Sequence, residues 1–272
     1  MNPVERIVFI GAGQMAEALV RGLLAAGRQP DHLHVTDVAP VRLEHFHTQY
    51  GVVGSSDNAA AAREADVVVL AVKPLHMKTA CEQIAGALTR APLVISIAAG
   101  VPTERVETWL GGGARVVRAM PNTPARVGAG VTALAPGRLA TETDLTRATR
   151  LFTAVGLVVR VSEPEMDAVT AISGSGPAYV FYLAEAMLEA AARLGLAPDI
   201  AETLVRQTIL GAGRLMETES ATSPTELRRR VTSKGGTTEA AVSILEARGV
   251  HDAWLMAIDA AAARARELSK LV

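Results

Sequence analysis

The chain has 272 residues, 27 lysines and arginines against 28 aspartates and glutamates, and 49% apolar residues. At roughly 100–200 residues per domain, this length suggests two domains, each able to build its own core. A net charge of −1 with 3% aromatics excludes the basic footprint and the stacking platforms of a nucleic-acid binder.

Membranes and metals are not expected either. No apolar run approaches the ~18 residues of a membrane span. The strongest candidate, Gly176 to Leu196, is interrupted by Glu185, Glu189 and Arg193. A single cysteine, Cys81, leaves no disulfide framework and no thiolate zinc site. Residues Met1 to Arg6 lack the basic-then-apolar pattern of a leader. The expected compartment is a reducing cytoplasm.

From Arg6 to Val161, short β-branched runs alternate with Ala-rich helical segments. The runs are Arg6–Ile10, His32–Asp37, Val67–Ala71, Leu93–Ile97, Arg115–Met120, Val131–Ala135 and Val158–Val161. The first five read as continuous apolar strands, as in a parallel sheet covered by helices on both faces. Met15–Ala26, closed by Gly27, and Leu75–Leu88 have helical spacing. The pattern predicts a doubly wound α/β domain over residues 1–162. After Val161 the strand signals stop. Pro164–Ile172, Pro177–Leu194, Pro198–Glu217, Thr238–Ala247 and Asp252–Leu268 all read as helices. Residues 163–272 are therefore expected to form an all-α domain, with apolar stripes suited to burial in a partner chain.

The first chemical signal closes the first strand: Ile10-Gly11-Ala12-Gly13-Gln14-Met15-Ala16. Gly11 permits a tight turn, Gly13 lets backbone approach a pyrophosphate, and Ala16 lets helix pack on strand. The helix N-terminus offers unpaired N–H groups to the anion. Glycines here can also form a plain turn, but the strand–turn–helix context favours a dinucleotide site. Asp37, at the end of the second run, suits an adenosine ribose and repels a 2′-phosphate, which leans towards NADH. The alternative is that Asp37 only caps the helix starting near Pro40, and Arg42 keeps NADPH open. Ala71-Val72-Lys73-Pro74 and Ile97-Ala98-Ala99-Gly100 end two further strands and face the same crevice. Lys73 is one of four lysines, and it reads equally as a solvated helix-start residue.

Later segments carry a second set. Met120-Pro121-Asn122-Thr123-Pro124 follows a strand, and Ser173-Gly174-Ser175-Gly176-Pro177 separates two helices. Val231 to Ala240 contains Lys234-Gly235-Gly236-Thr237-Thr238, readable as a site for a small carboxylate or as a plain threonine-capped turn. The helical half has one histidine, His251, and two lysines, Lys234 and Lys270, with none inside the helices before the Gly-Gly turn. That leaves an alcohol dehydrogenase without its usual base. Reduction of a carbon–nitrogen double bond demands less, because a protonated imine is already electrophilic.

The segments Ile10–Ala16, Ala71–Pro74, Ala98–Gly100, Met120–Pro124, Asp167–Tyr179 and Val231–Glu246 together resemble the pyrroline-5-carboxylate reductases. The resemblance covers nearly the whole chain, and its signature runs from Pro224 through Gly235-Gly236-Thr237-Thr238 to Leu245-Glu246. It implies an N-terminal Rossmann-like domain followed by an all-α dimerisation domain, in a homodimer that some members extend to a decamer. It also implies the last step of proline biosynthesis, in which NADPH or NADH reduces 1-pyrroline-5-carboxylate to L-proline. By the same resemblance, Ile10, Gly11, Ala12, Gly13, Gln14 and Met15 hold the pyrophosphate. Asn58, Ala71, Val72, Lys73, Pro74, Ala98 and Ala99 line the rest of the cofactor. Gly236, Thr237 and Thr238 hold the substrate carboxylate, with Thr238 best placed to reach the ring nitrogen. Glu163 is implied as a substrate-side carboxylate, although a first-turn glutamate of a helix reads the same way. Ser175 shapes the pocket or caps its helix. Lys234 stands where many members carry proline, and Arg230 where some carry asparagine. Competing readings are a β-hydroxyacid dehydrogenase, a broader imine reductase and a nucleotide-sensing protein without turnover.

Overall fold

The computed structural model describes residues 5–271. By packing, the chain divides into two compact units, one running through Ser175 and resuming at Ala261, the other Gly176–Ala260.

The first unit is an eight-stranded sheet in the order β3-β2-β1-β4-β5-β6-β7-β8. Its strands are β1 (Ile7–Ile10), β2 (Leu33–Thr36), β3 (Val53–Ser55), β4 (Val67–Leu70), β5 (Leu93–Ser96), β6 (Arg115–Met120), β7 (Gly130–Pro136) and β8 (Gly156–Arg160). All neighbours pair parallel except β6 with β7. The helices are α1 (Gln14–Ala25), α2 (Pro40–Tyr50), α3 (Asn58–Arg63), α4 (Met77–Ala85), α5 (Thr103–Trp109), α6 (Glu142–Thr153) and the short α7 (Met166–Val169). This is the doubly wound, Rossmann-like architecture that the strand–helix alternation predicts.

Burial explains the apolar strand runs. Along β1, Ile7 and Phe9 join a core with Leu19, Leu23, Phe46 and Phe152, while Val8 and Ile10 join another with Met77, Cys81, Ile84 and Val106. Helices on both faces leave no side of the central strands in water. Burial pushes the Cys81 thiol up to about 12, with Glu82 adding to the effect, so this sulfur is an inert core atom.

Several expected elements change on folding. Strand β3, Val-Gly-Ser, is an addition. Leu75–Leu88 is not one helix: Pro74–His76 forms a 3₁₀ turn before α4. Pro164–Ile172 is divided as well, into a 3₁₀ turn (Glu163–Glu165), α7, and a π turn (Thr170–Gly174). Strand β6 departs from the apolar pattern, since Arg118 lies in it at 3% exposure.

The second unit contains α8 (Gly176–Arg193), α9 (Pro198–Thr218), α10 (Pro224–Arg230), α11 (Thr237–Ala247) and the first half of α12 (Val250–Leu271). Its interior is sparse. Ala191, Ala201 and Val205 are buried, while Val180, Phe181, Tyr182, Leu204, Ile244, Leu245, Leu255 and Met256 are exposed. A run of exposed large apolar side chains on this scale marks a surface made for another chain. Tyr179 and Trp254 meet edge to face at 5.8 Å. The arginine run Arg228-Arg229-Arg230 is neutralised locally by Glu246, Glu226 and Glu219. No described helix is long and apolar enough to cross a membrane.

Candidate active site

The sheet order reverses between β1 and β4, and ligands of open α/β sheets bind beyond the strand ends at such a point. Gly11 lies there with φ +101°. Its N–H donates to the Thr36 carbonyl (2.8 Å), and the Ala71 N–H donates to the Ile10 carbonyl (2.8 Å). A Cβ on Gly11 would stand 2.9 Å from the Ala71 carbonyl carbon and oxygen. The turn therefore needs glycine for conformation and for space. Gly13 has the opposite surroundings, with nothing within 4 Å of a Cβ, so its backbone faces open space. Gly13 is the N-cap of α1 without a side-chain cap, and the first-turn N–H groups of α1 remain available to an anion. Ala16 is 1% exposed, as close helix–strand packing requires. These features fit the pyrophosphate of a dinucleotide.

The end of β2 is built around the Ala12 peptide. Its N–H donates to Asp37 Oδ2 (2.8 Å), and its carbonyl accepts from Arg42 Nε (2.8 Å). Asp37 Oδ1 accepts from the Ala39 N–H (2.9 Å). Ala39, not Asp37, is the N-cap residue of α2, so the simple capping role does not describe Asp37. Behind this peptide, Glu17 accepts from Arg42 Nη2 (2.7 Å) and Tyr50 Oη (3.0 Å) and bonds His45 Nε2 (2.9 Å). Burial by itself raises the Glu17 pKa, but the bonds from Arg42, His45 and Tyr50 outweigh it and bring the carboxyl down to about 2.

Other expected cofactor residues ring the same strand ends. Asn58 opens α3; its Oδ1 accepts from Thr36 Oγ1 (2.5 Å) and its Nδ2 donates to Gln83 Oε1 (2.7 Å). Val72 approaches Gly11, Lys73 is exposed, and Pro74 starts the 3₁₀ turn. Ala98 is buried and Ala99 half-buried beyond β5, where the Ile97 N–H donates to Leu70.

Glu163 is tied elsewhere. Its Oε1 accepts from Arg118 Nη1 (2.6 Å) and the Thr103 N–H (3.4 Å). Arg118 Nε and Nη2 and Glu163 Oε2 are buried without a partner among the described residues. This ion pair joins the Glu163–Glu165 turn to β6 and to the start of α5. Sequence reading missed it because 45 residues separate its members. Asn122 is similar: its side chain donates to the Ser173 carbonyl and accepts from the Val131 N–H. The Ser175 N–H closes the π turn on Thr170.

In the second unit, Gly236 is the N-cap of α11, and Thr237 and Thr238 begin the helix. The N–H groups of Thr237, Thr238 and Glu239 have no intrahelical acceptor by helix geometry. Neither threonine hydroxyl has a hydrogen-bond partner among the described residues. The Gly235 N–H is taken by Glu239 Oε2 (2.7 Å), so the anion site narrows to the first turn of α11. His251 is exposed beside Asp252 within α12 and has no base-like surroundings.

Residues 163–268 match the family model for pyrroline-5-carboxylate reductase dimerisation, and residues 6–100 match the NADP oxidoreductase, coenzyme F420-dependent model. The pyrroline-5-carboxylate reductase of Methanosarcina acetivorans is 42% identical over 98% of this chain and 98% of its own. The chain belongs to the pyrroline-5-carboxylate reductase family. Among solved members of that family, the Coxiella burnetii enzyme superposes with a TM-score of 0.91 at 45% identity, covering 98% of this chain and 99% of its own. A Plasmodium falciparum pyrroline carboxylate reductase with NADP bound superposes at 0.87 with 29% identity, covering 97% and 98%. As a family member the chain is an oxidoreductase that uses a nicotinamide cofactor, and its helical part is a dimerisation domain.

Proposed function

We propose that the chain is an NAD(P)H-dependent pyrroline-5-carboxylate reductase that prefers NADH and forms L-proline in the last step of proline biosynthesis. The observation that carries this reading is the switch-point cradle, in which Gly11 needs its positive φ and Gly13 opens onto free space. Residues 1–162 form the dinucleotide-binding part and residues 163–272 the substrate-binding and dimerisation part. The first turn of α1 and the Ile10–Met15 loop hold the pyrophosphate. Asn58, Ala71, Val72, Lys73, Pro74, Ala98 and Ala99 line the remainder of the cofactor.

The hydride for the imine carbon of 1-pyrroline-5-carboxylate would come from the nicotinamide dinucleotide held by the Ile10–Met15 loop. The N–H groups of Thr237 and Thr238 orient the substrate carboxylate beside Gly236, whose own N–H donates to the Ser233 carbonyl, helped by the dipole of α11. Thr238 holds a proton at the ring nitrogen through its hydroxyl, so the C=N bond polarises as the amine forms. Ser175 shapes the substrate pocket. Glu163 acts from the substrate side through its bond to Arg118. Rates with 1-pyrroline-5-carboxylate, 3-hydroxyacids and bulkier cyclic imines test the assignment. It requires the pyrroline to be the best substrate, and a preference for a hydroxyacid would overturn it.

NADH is favoured because Asp37 places a carboxylate at the end of β2, where a 2′-phosphate would be repelled. Asp37→Ser is expected to lower the NADH-to-NADPH ratio of kcat/KM by about tenfold, near the worth of one close charge contact. An unchanged ratio would make Asp37 purely structural.

The chain acts as a homodimer, extensible to a decamer, in the cytoplasm. Phe181, 63% exposed, lies among the apolar residues of α8 that a partner would cover. Light scattering should give twice the 28.4 kDa chain mass or a multiple of it. Phe181→Asp should shift the distribution towards monomer, and a monomeric wild type at micromolar concentration would contradict the assembly.

A further inference from the structure

A 2′-phosphate brings close to two negative charges to the adenosine ribose, so its acceptance depends on a free cation beside the end of β2. Arg42 is the cation at that place, and it is already engaged on two sides. Nε is fixed on the Ala12 carbonyl, Nη2 pairs with Glu17, and the guanidinium lies 5.6 Å from the Phe46 ring centroid. Glu17 is itself fixed at its other oxygen by His45 and Tyr50. The Arg42 side chain is 32% exposed and that of Glu17 25%, so the pair is partly withdrawn from water. Asp37 spends both oxygens on the Ala12 and Ala39 N–H groups, which removes these two donors from any phosphate. Asp37 and Glu17 thus place a carboxylate on either side of the Arg42 guanidinium around Ala12. The neighbouring residues Val38 and Val41, 93% and 74% exposed, offer apolar surface in place of phosphate ligands.

We propose that Glu17 determines dinucleotide specificity: by holding Arg42 against the Ala12 carbonyl, it withholds the cation that a 2′-phosphate requires and sets NADH above NADPH. The inference rests on the first unit binding a nicotinamide dinucleotide and does not depend on the identity of the substrate. Glu17 differs in kind from Asp37, since it acts through Arg42 and from behind the loop. Neutralising Glu17 leaves Arg42 free to turn towards the ribose, while the Ala12 N–H bond to Asp37 remains.

The test is calorimetric titration of the full chain with 5′-ADP and with 2′,5′-ADP, which differ only in the added phosphate. Wild type is expected to bind 5′-ADP more tightly. Glu17→Gln keeps the shape of the side chain and removes its charge. It should shift the affinity ratio towards 2′,5′-ADP by about fivefold, the scale of one partly exposed ion pair, and Glu17→Ala should shift it in the same direction. Adding Arg42→Leu to Glu17→Gln should cancel the gain, because the freed cation is gone. The NADPH-to-NADH ratio of kcat/KM should move in the same sense. The proposal is overturned by a wild type that prefers 2′,5′-ADP, by Glu17 variants with an unaltered ratio, or by a gain that survives Arg42→Leu. A chain that shows the predicted swing in binding but never reduces a pyrroline would refute the substrate assignment and leave the specificity inference standing.

Discussion

Gly11→Ala is expected to weaken NADH binding by about a hundredfold or more, from two separate effects. The residue has φ +101°, a conformation strained for alanine by on the order of 1–3 kcal/mol. The new methyl group would also stand 2.9 Å from the Ala71 carbonyl and 3.0 Å from Val72 Cγ1. Relief requires β1 and β4 to separate at their carboxyl ends, where the pyrophosphate must approach. Fluorescence titration with NADH and a thermal melt together read the outcome, since Gly11→Ala should lower both affinity and Tm. Gly13→Ala provides the contrast. Its φ is −75° and its Cβ meets nothing, so Tm should hold while the added methyl group obstructs the ligand. A Gly11→Ala protein that binds NADH within threefold of wild type would remove the cradle from the account.

Thr238→Ala should lower kcat/KM for 1-pyrroline-5-carboxylate by roughly a hundredfold, the usual scale for one proton-holding or charge-stabilising group. NADH affinity should be unchanged, because none of the residues assigned to the dinucleotide belongs to α11. Thr238 is the second residue of α11, half-buried, and Ala at that position costs the helix little. A stability effect would therefore not mimic the kinetic one. Thr238→Ser should recover most of the rate, since it restores the hydroxyl and removes only a methyl group. Wild-type turnover in the alanine variant would transfer the proton to another donor.

Much of the frame was legible because both-face burial leaves a direct trace in sequence. Runs such as Val67-Val68-Val69-Leu70 have no polar member to place in water. The glycine turn was legible for a related reason, since the fold leaves no room for Cβ at Gly11. Strand β3 left no comparable trace: Val-Gly-Ser is three residues long, and its Val53 is exposed. The break in Leu75–Leu88 was signalled by Pro74, whose fixed φ suits a tight 3₁₀ start.

The polar networks were the least legible parts. Glu17 meets Arg42 across 25 residues, and Arg118 meets Glu163 across 45. No periodicity encodes such pairs, because their members meet only in the tertiary fold. Arg118 alone hinted at a partner, as a charged residue inside a strand otherwise fit for burial. Arg42 shows what a sequence motif leaves out. Read alone it is a cation available to a phosphate, whereas the fold commits it to Ala12 and Glu17.

The most direct test of the central claim is a paired rate measurement with NADH and NADPH on 1-pyrroline-5-carboxylate, with L-proline quantified as product. The account predicts one L-proline per dinucleotide oxidised and a higher kcat/KM with NADH. Tight dinucleotide binding without pyrroline-dependent oxidation would contradict it.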